Sequence, residues 1–100
     1  MEYLLAAFSG CLNVVCHVVA KEMGIELNAL EIDIQANLNP NNFMGKSDKE
    51  RSGFKEITVF IKPETSADEI LLSKWLKTVE NRCPVSDNIM NITPVKIELA

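Results

Sequence analysis

The sequence predicts an α+β fold in which one long helix, apolar almost all round, lies buried against an antiparallel sheet. Three observations predict it: a proline-free run of helix formers from Glu2 to about Met23, later segments that alternate apolar and polar residues, and a second helical stripe behind a serine-led start. With 100 residues, a formal net charge of -4 and 47% hydrophobic content, the chain reads as one globular domain spanning residues 1–100. A monomer of this size buries only about 60 to 65% of the surface its unfolded chain exposes, so a partner subunit is expected to enlarge the core.

The first helix stops at Gly24, just past Lys21. Its polar positions Ser9, Asn13, His17 and Lys21 fall four apart and make one narrow stripe. Leu4, Phe8, Cys11, Val14, Val15, Val18 and Val19 fill most of the remaining circumference, so the helix must be covered on nearly every side. Neither a signal segment nor a membrane span is expected. No basic region precedes Tyr3, and Asn13 and His17 interrupt the apolar run.

Leu30, Ile32, Ile34, Ala36 and Leu38 alternate with Glu31, Asp33, Gln35 and Asn37, which predicts a strand with one wet face. Ile57, Val59 and Ile61 predict a second strand, and Val95, Ile97 and Leu99 a third. Asn39 to Gly53 is polar and holds Pro40, Gly45 and Gly53, so it reads as a long, mobile connection.

Ser66-Ala67-Asp68-Glu69 predicts a capping box with Ser66 at the N-cap of the second helix. Leu72, Trp75, Leu76 and Val79 form the apolar stripe of that helix, which ends near Arg82. Pro84 then opens a short new turn with Cys83 at its mouth. The expected order is therefore α-β-β-α-(short α)-β. One apolar sheet face of three strands cannot enclose the first helix, so a second subunit is expected to supply the missing cover.

Ten lysines and arginines against fourteen acidic residues, with the basic ones scattered, make no footprint for nucleic acid. Three cysteines at irregular spacing, with no CxxC, fit neither a secreted disulfide framework nor a zinc ribbon, and point to the cytoplasm. No metal, flavin or haem is implied.

Glu2-Tyr3-Leu4-Leu5-Ala6-Ala7-Phe8-Ser9-Gly10-Cys11 resembles the helix motif of the osmotically inducible protein C and organic hydroperoxide resistance (OsmC/Ohr) superfamily, and Cys83-Pro84-Val85-Ser86-Asp87-Asn88 resembles its second motif. Asn42-Phe43-Met44-Gly45 and Ser52-Gly53-Phe54-Lys55-Glu56-Ile57 resemble connecting segments of one branch, so the likeness spans essentially the whole chain. The resemblance implies an intertwined dimer and a thiol-dependent peroxidase. Carried over, Cys11 is the thiol that attacks a hydroperoxide, Cys83 resolves the sulfenic acid as a disulfide, and a dithiol restores both. Glu2 carries over as the third site residue, one position nearer Cys11 than the glutamate of the organic hydroperoxide branch. The family's N-terminal strands and the arginine they hold have no counterpart here. Met1 aligns inside the family motif, so the natural protein is expected to be longer.

Other readings of these residues compete. Apolar neighbours raise a thiol pKa, which opposes activation of Cys11, and Arg82 and Arg51 are the local cations. A sulfur at a helix mouth beside Arg82 would instead favour Cys83 as the attacking thiol. Cys16, roughly 140° around the helix from Cys11, reads as structural. His17 reads as a hydrogen-bonding group at a helix or subunit contact, Trp75 and Phe60 as core, and Ser86 and Asp87 as partners for the amides of the short turn. Against the peroxidase stands a non-catalytic dimeric module whose cysteines only pack.

Overall fold

A computed structural model describes residues 1–100. It contains α1 (Glu2–Glu22), β1 (Ala29–Asn37), β2 (Glu56–Glu64), α2 (Glu69–Arg82) and α3 (Pro84–Met90), the α+β order expected up to the last element. The two strands form an antiparallel ribbon with Leu30 opposite Pro63, Ile32 opposite Ile61 and Ile34 opposite Val59. Their side chains alternate between an exposed face and a half-buried one, save that Thr58 on the outer face is also half-buried, and the apolar half-buried face rests on α1.

Helix α1 ends as glycine allows. Gly24 takes φ 70°, its N–H reaches the Lys21 carbonyl at 3.3 Å, and the Ile25 N–H reaches the Ala20 carbonyl at 2.8 Å. This closes the last turn in a Schellman motif, and Ile25 tucks its side chain into the core. The buried face of α1 is Phe8, Leu12, Cys16, Val19 and Ala20. Opposite them stand Trp75, Val79 and Cys83, one residue per turn along α2 and its end, all nearly or fully shielded from water. Burying a large apolar side chain of this kind contributes about 1.5–3 kcal/mol, so this helix pair carries much of the stability.

The rest of α1 is uncovered. Tyr3, Leu4, Val14 and Val18 are exposed, which leaves a large apolar face of the helix without a packing partner in a single chain. By length and composition α1 could also cross a membrane. Here its Phe8–Val19 stripe packs on α2 and the ribbon, as the core helix of a two-layer fold does.

Three expectations need correction, the first being that Phe60 joins the core, since it is 48% exposed on the outer face of the ribbon. The third strand does not form: beyond Asn91 the chain has no regular structure, with Ile97 94% and Leu99 103% exposed. A strand is defined by the ladder it joins, and no backbone is paired with this segment. The N-cap of α2 is Asp68, not Ser66. The Asp68 carboxylate accepts the Leu71 N–H at 2.8 Å, because an anion there complements both the free amides and the helix dipole. Within the long connection Glu50 accepts from Asn39 and Lys55 through its carboxylate, and from Asn42 through its carbonyl at 2.8 Å.

A candidate thiol-pair site

Cys83 is the single residue between α2 and α3 and serves both as C-cap and as N-cap. The following Pro84 forbids it a helical backbone, and its φ of -75° and ψ of 112° show the extended conformation that a residue before proline adopts. Its N–H still closes α2 on the Val79 carbonyl, while its carbonyl accepts the first α3 amide bond, from Asp87. The chain thus turns sharply at this one residue with its backbone satisfied. The side chain is left pointing at α1.

There it meets Cys11. The two sulfurs lie 3.2 Å apart, both as free thiols, although the residues are separated by 72 positions in sequence. Cys83 is fully buried, whereas Cys11 is only half-buried, on the edge of the same core. Burial is the largest influence on the Cys83 thiol and pushes its pKa up. The Ser86 and Val85 amides of α3 pull it down, but its hydrogen bond to Cys11 adds to the rise. Cys83 therefore holds its proton and presents it toward Cys11.

This bears on the competing assignment in which Cys83 attacks first. Arg82, the cation that would favour it, forms a two-armed ion pair with Glu22 at the far end of α1. The remaining influence of the helix mouth does not overcome burial.

Glu2 is not brought to the sulfurs. It is exposed in the first turn of α1, about 13 Å along the axis from Cys11 and on the reverse side of the helix. Arg51 lines a wide groove of about 1320 Å³ between α1, β2 and the two C-terminal helices, together with Phe8, Leu12, Val59 and Ile89. Neither sulfur opens into this groove, although Val85 and Ser86 of the Cys83 turn form part of its wall.

Cys16 lies wholly inside the core and its thiol is pushed up to about 11, first by burial and then by the nearby Cys83. At neutral pH it is an inert, protonated side chain. The His17 ring nitrogen Nδ1 is 2.8 Å from the Asn13 carbonyl on the exposed side of the helix.

Two contacts around the site were not anticipated from sequence. The Trp75 indole N–H donates to the Cys16 carbonyl at 2.9 Å inside the core, and Arg82 pairs with Glu22. A signal for the first existed: Trp75, Val79 and Cys83 are spaced four apart, so the apolar stripe of α2 points straight at the second cysteine.

Fold and site together define an α+β protein whose long first helix, buried along one stripe, carries one member of a close thiol pair. A family model described as OsmC-like protein matches residues 1–98. The chain belongs to the OsmC-like family. Its fold is also that of the crystal structure of an OsmC-like protein from Mycoplasma pneumoniae, with a TM-score of 0.79 at 18% identity over 90% of this chain. The chain spans 60% of that structure's length. No curated protein matches it significantly.

Proposed function

We propose that this chain is a thiol-dependent peroxidase acting on organic hydroperoxides or hydrogen peroxide as a cytoplasmic homodimer. The observation that carries the reading is the 3.2 Å approach of the Cys11 and Cys83 sulfurs. Two buried packing cysteines have no need to meet, whereas a sulfenic acid has to be captured by a second thiol before further oxidation.

In the forward half-cycle the Cys11 thiolate attacks the distal peroxide oxygen. The O–O bond breaks, an alcohol or water leaves, and Cys11 becomes a sulfenic acid. Cys83 then attacks the Cys11 sulfur and expels water, giving the disulfide. A disulfide needs an S–S distance of about 2.05 Å, so closure from the observed separation asks for a shift of roughly 1 Å rather than a refolding of α3. A dithiol supplies the two electrons that regenerate both thiols.

The uncovered faces support the dimer. Tyr3, Leu4, Val14 and Val18 on α1, and Val95, Ile97 and Leu99 on the C-terminal segment, are apolar and exposed in the isolated chain. Burial of these faces by a second copy would supply the cover that a single chain lacks, with the approach to Cys11 left at the edge of the contact.

A non-catalytic module is the competing reading. It is favoured by one observation: the Cys11 sulfur has no charged hydrogen-bond partner, and Arg82 is committed to Glu22. Peroxide consumption with dithiothreitol as reductant separates the two. Turnover in the wild type that is lost in Cys11→Ser supports the peroxidase; no turnover in a folded wild type supports the module.

A further inference from the structure

We propose that the reductant enters the cycle at Cys11: an external thiolate attacks the Cys11 sulfur of the Cys11–Cys83 disulfide, forms a mixed disulfide there, and displaces Cys83 as the leaving thiolate. This rests on the peroxidase reading above and assigns the order of its reductive half.

Thiol–disulfide exchange proceeds in line. The incoming sulfur, the attacked sulfur and the leaving sulfur approach a straight line, so the attacked atom must be open on the side away from its partner. Cys83 has no exposed surface. It is enclosed by Val79 one turn back in α2, by the start of α3 and by Cys11 itself. No trajectory from solvent ends on its sulfur without unpacking the core. Cys11, by contrast, is only half-buried and packs against the core from outside it, so it is the member of the pair with surface left for an incoming thiolate.

The departing group is also prepared. The backbone N–H groups of Ser86 and Val85 face the Cys83 sulfur and favour its anion, so the thiolate released inside the fold has donors at hand. Cys11 lies in mid-helix, where the backbone donors are used within the helix. Access and leaving-group stabilisation therefore select the same direction of attack.

The electrons and protons balance as follows. The S–S bond between Cys11 and Cys83 breaks as the bond between Cys11 and the donor sulfur forms. Cys83 leaves with the electron pair and takes up a proton. With a dithiol, its second thiolate attacks the donor sulfur of the mixed disulfide, Cys11 leaves as thiolate, and the donor departs as its own disulfide. With a monothiol, Cys83 stands beside the Cys11 adduct and can return.

The test uses the whole protein. It is first oxidised with one equivalent of cumene hydroperoxide, and peptide mapping establishes the Cys11–Cys83 disulfide; failure at this point sinks the peroxidase reading itself. The oxidised protein is then exposed briefly, in separate arms, to 2-mercaptoethanol and to cyanide, acid-quenched, denatured and alkylated. Cyanide leaves a thiocyanate on the attacked sulfur and records the site even where the monothiol adduct recloses. The expected result is modification of Cys11 over Cys83 by at least about tenfold, with Cys83 recovered as the alkylated thiol. Equal modification of the two, or an excess on Cys83, in the cyanide arm overturns the proposal.

Discussion

The indole N–H of Trp75 donates a hydrogen bond to the carbonyl oxygen of Cys16, joining the middle of α2 to the middle of α1 at 2.9 Å within the core. Trp75 is two turns before Cys83 on the same row of α2, and Cys16 is little more than one turn past Cys11 on α1. The bond thus sets how the two helices register against one another where each presents its sulfur.

Trp75→Phe keeps most of the ring packing and removes the donor. Stability should fall by about 0.5–1.5 kcal/mol, the net value of one hydrogen bond, with an unchanged denaturant m-value. Closure of the Cys11–Cys83 disulfide after a peroxide pulse should slow by more than that stability loss explains, measured by acid quench and alkylation. An unchanged closure rate would show that the contact stabilises the core without positioning the thiols.

Arg82→Ala tests whether the guanidinium acts on sulfur. Both members of the Glu22–Arg82 pair are largely exposed, and such pairs contribute little in water. Arg82 holds the Glu22 carboxyl below its ordinary range, so whatever the pair adds is present above that range and is lost as pH falls through the lowered value. The variant should keep wild-type peroxide turnover at neutral pH. A steep loss would mean that Arg82 leaves Glu22 and serves the thiols.

The Cys16 thiol gives the stability a signature in alkali. Its pKa in the folded chain, about 11, is above the ordinary value of 9.0, so the folded state binds this proton more tightly than the unfolded state does. Its contribution is complete below pH 9 and is lost as pH rises toward 11. Urea melts of the wild type should therefore lose stability across that window more steeply than melts of Cys16→Ala. Parallel pH profiles would show that Cys16 is not held in an apolar core.

The apolar residues of the C-terminal segment predict association. The chain has a radius of gyration of 16.8 Å, against about 13 Å for a compact domain of this length. Analytical ultracentrifugation should give a dimer at micromolar concentration. The double variant Ile97→Lys and Leu99→Lys should shift it toward monomer. A monomeric wild type would remove the basis for a shared core.

Much of this fold is legible because its determinants are local. The Gly24 stop, the period-2 strands and the proline that forces Cys83 out of helix are each written within a few residues. The Asp68 cap was obscured by a competing hydroxyl two positions earlier. The C-terminal segment departs from its period-2 pattern because alternation in sequence reports what a strand would bury, while strand formation needs a second backbone beside it. Of the site, the two cysteines came from family motifs. Their relative burial, the Trp75 contact and the diversion of Arg82 to Glu22 depend on how helices far apart in sequence pack together. Glu2 carried a motif position but not a place beside the sulfurs.

The most direct measurement is disulfide mapping after the reduced protein meets one equivalent of cumene hydroperoxide. Cys11 joined to Cys83, with Cys16 recovered as a free thiol, is the predicted result. Reduced Cys11 and Cys83 with unconsumed peroxide, or a bridge that engages Cys16 instead, would contradict a redox role for the pair.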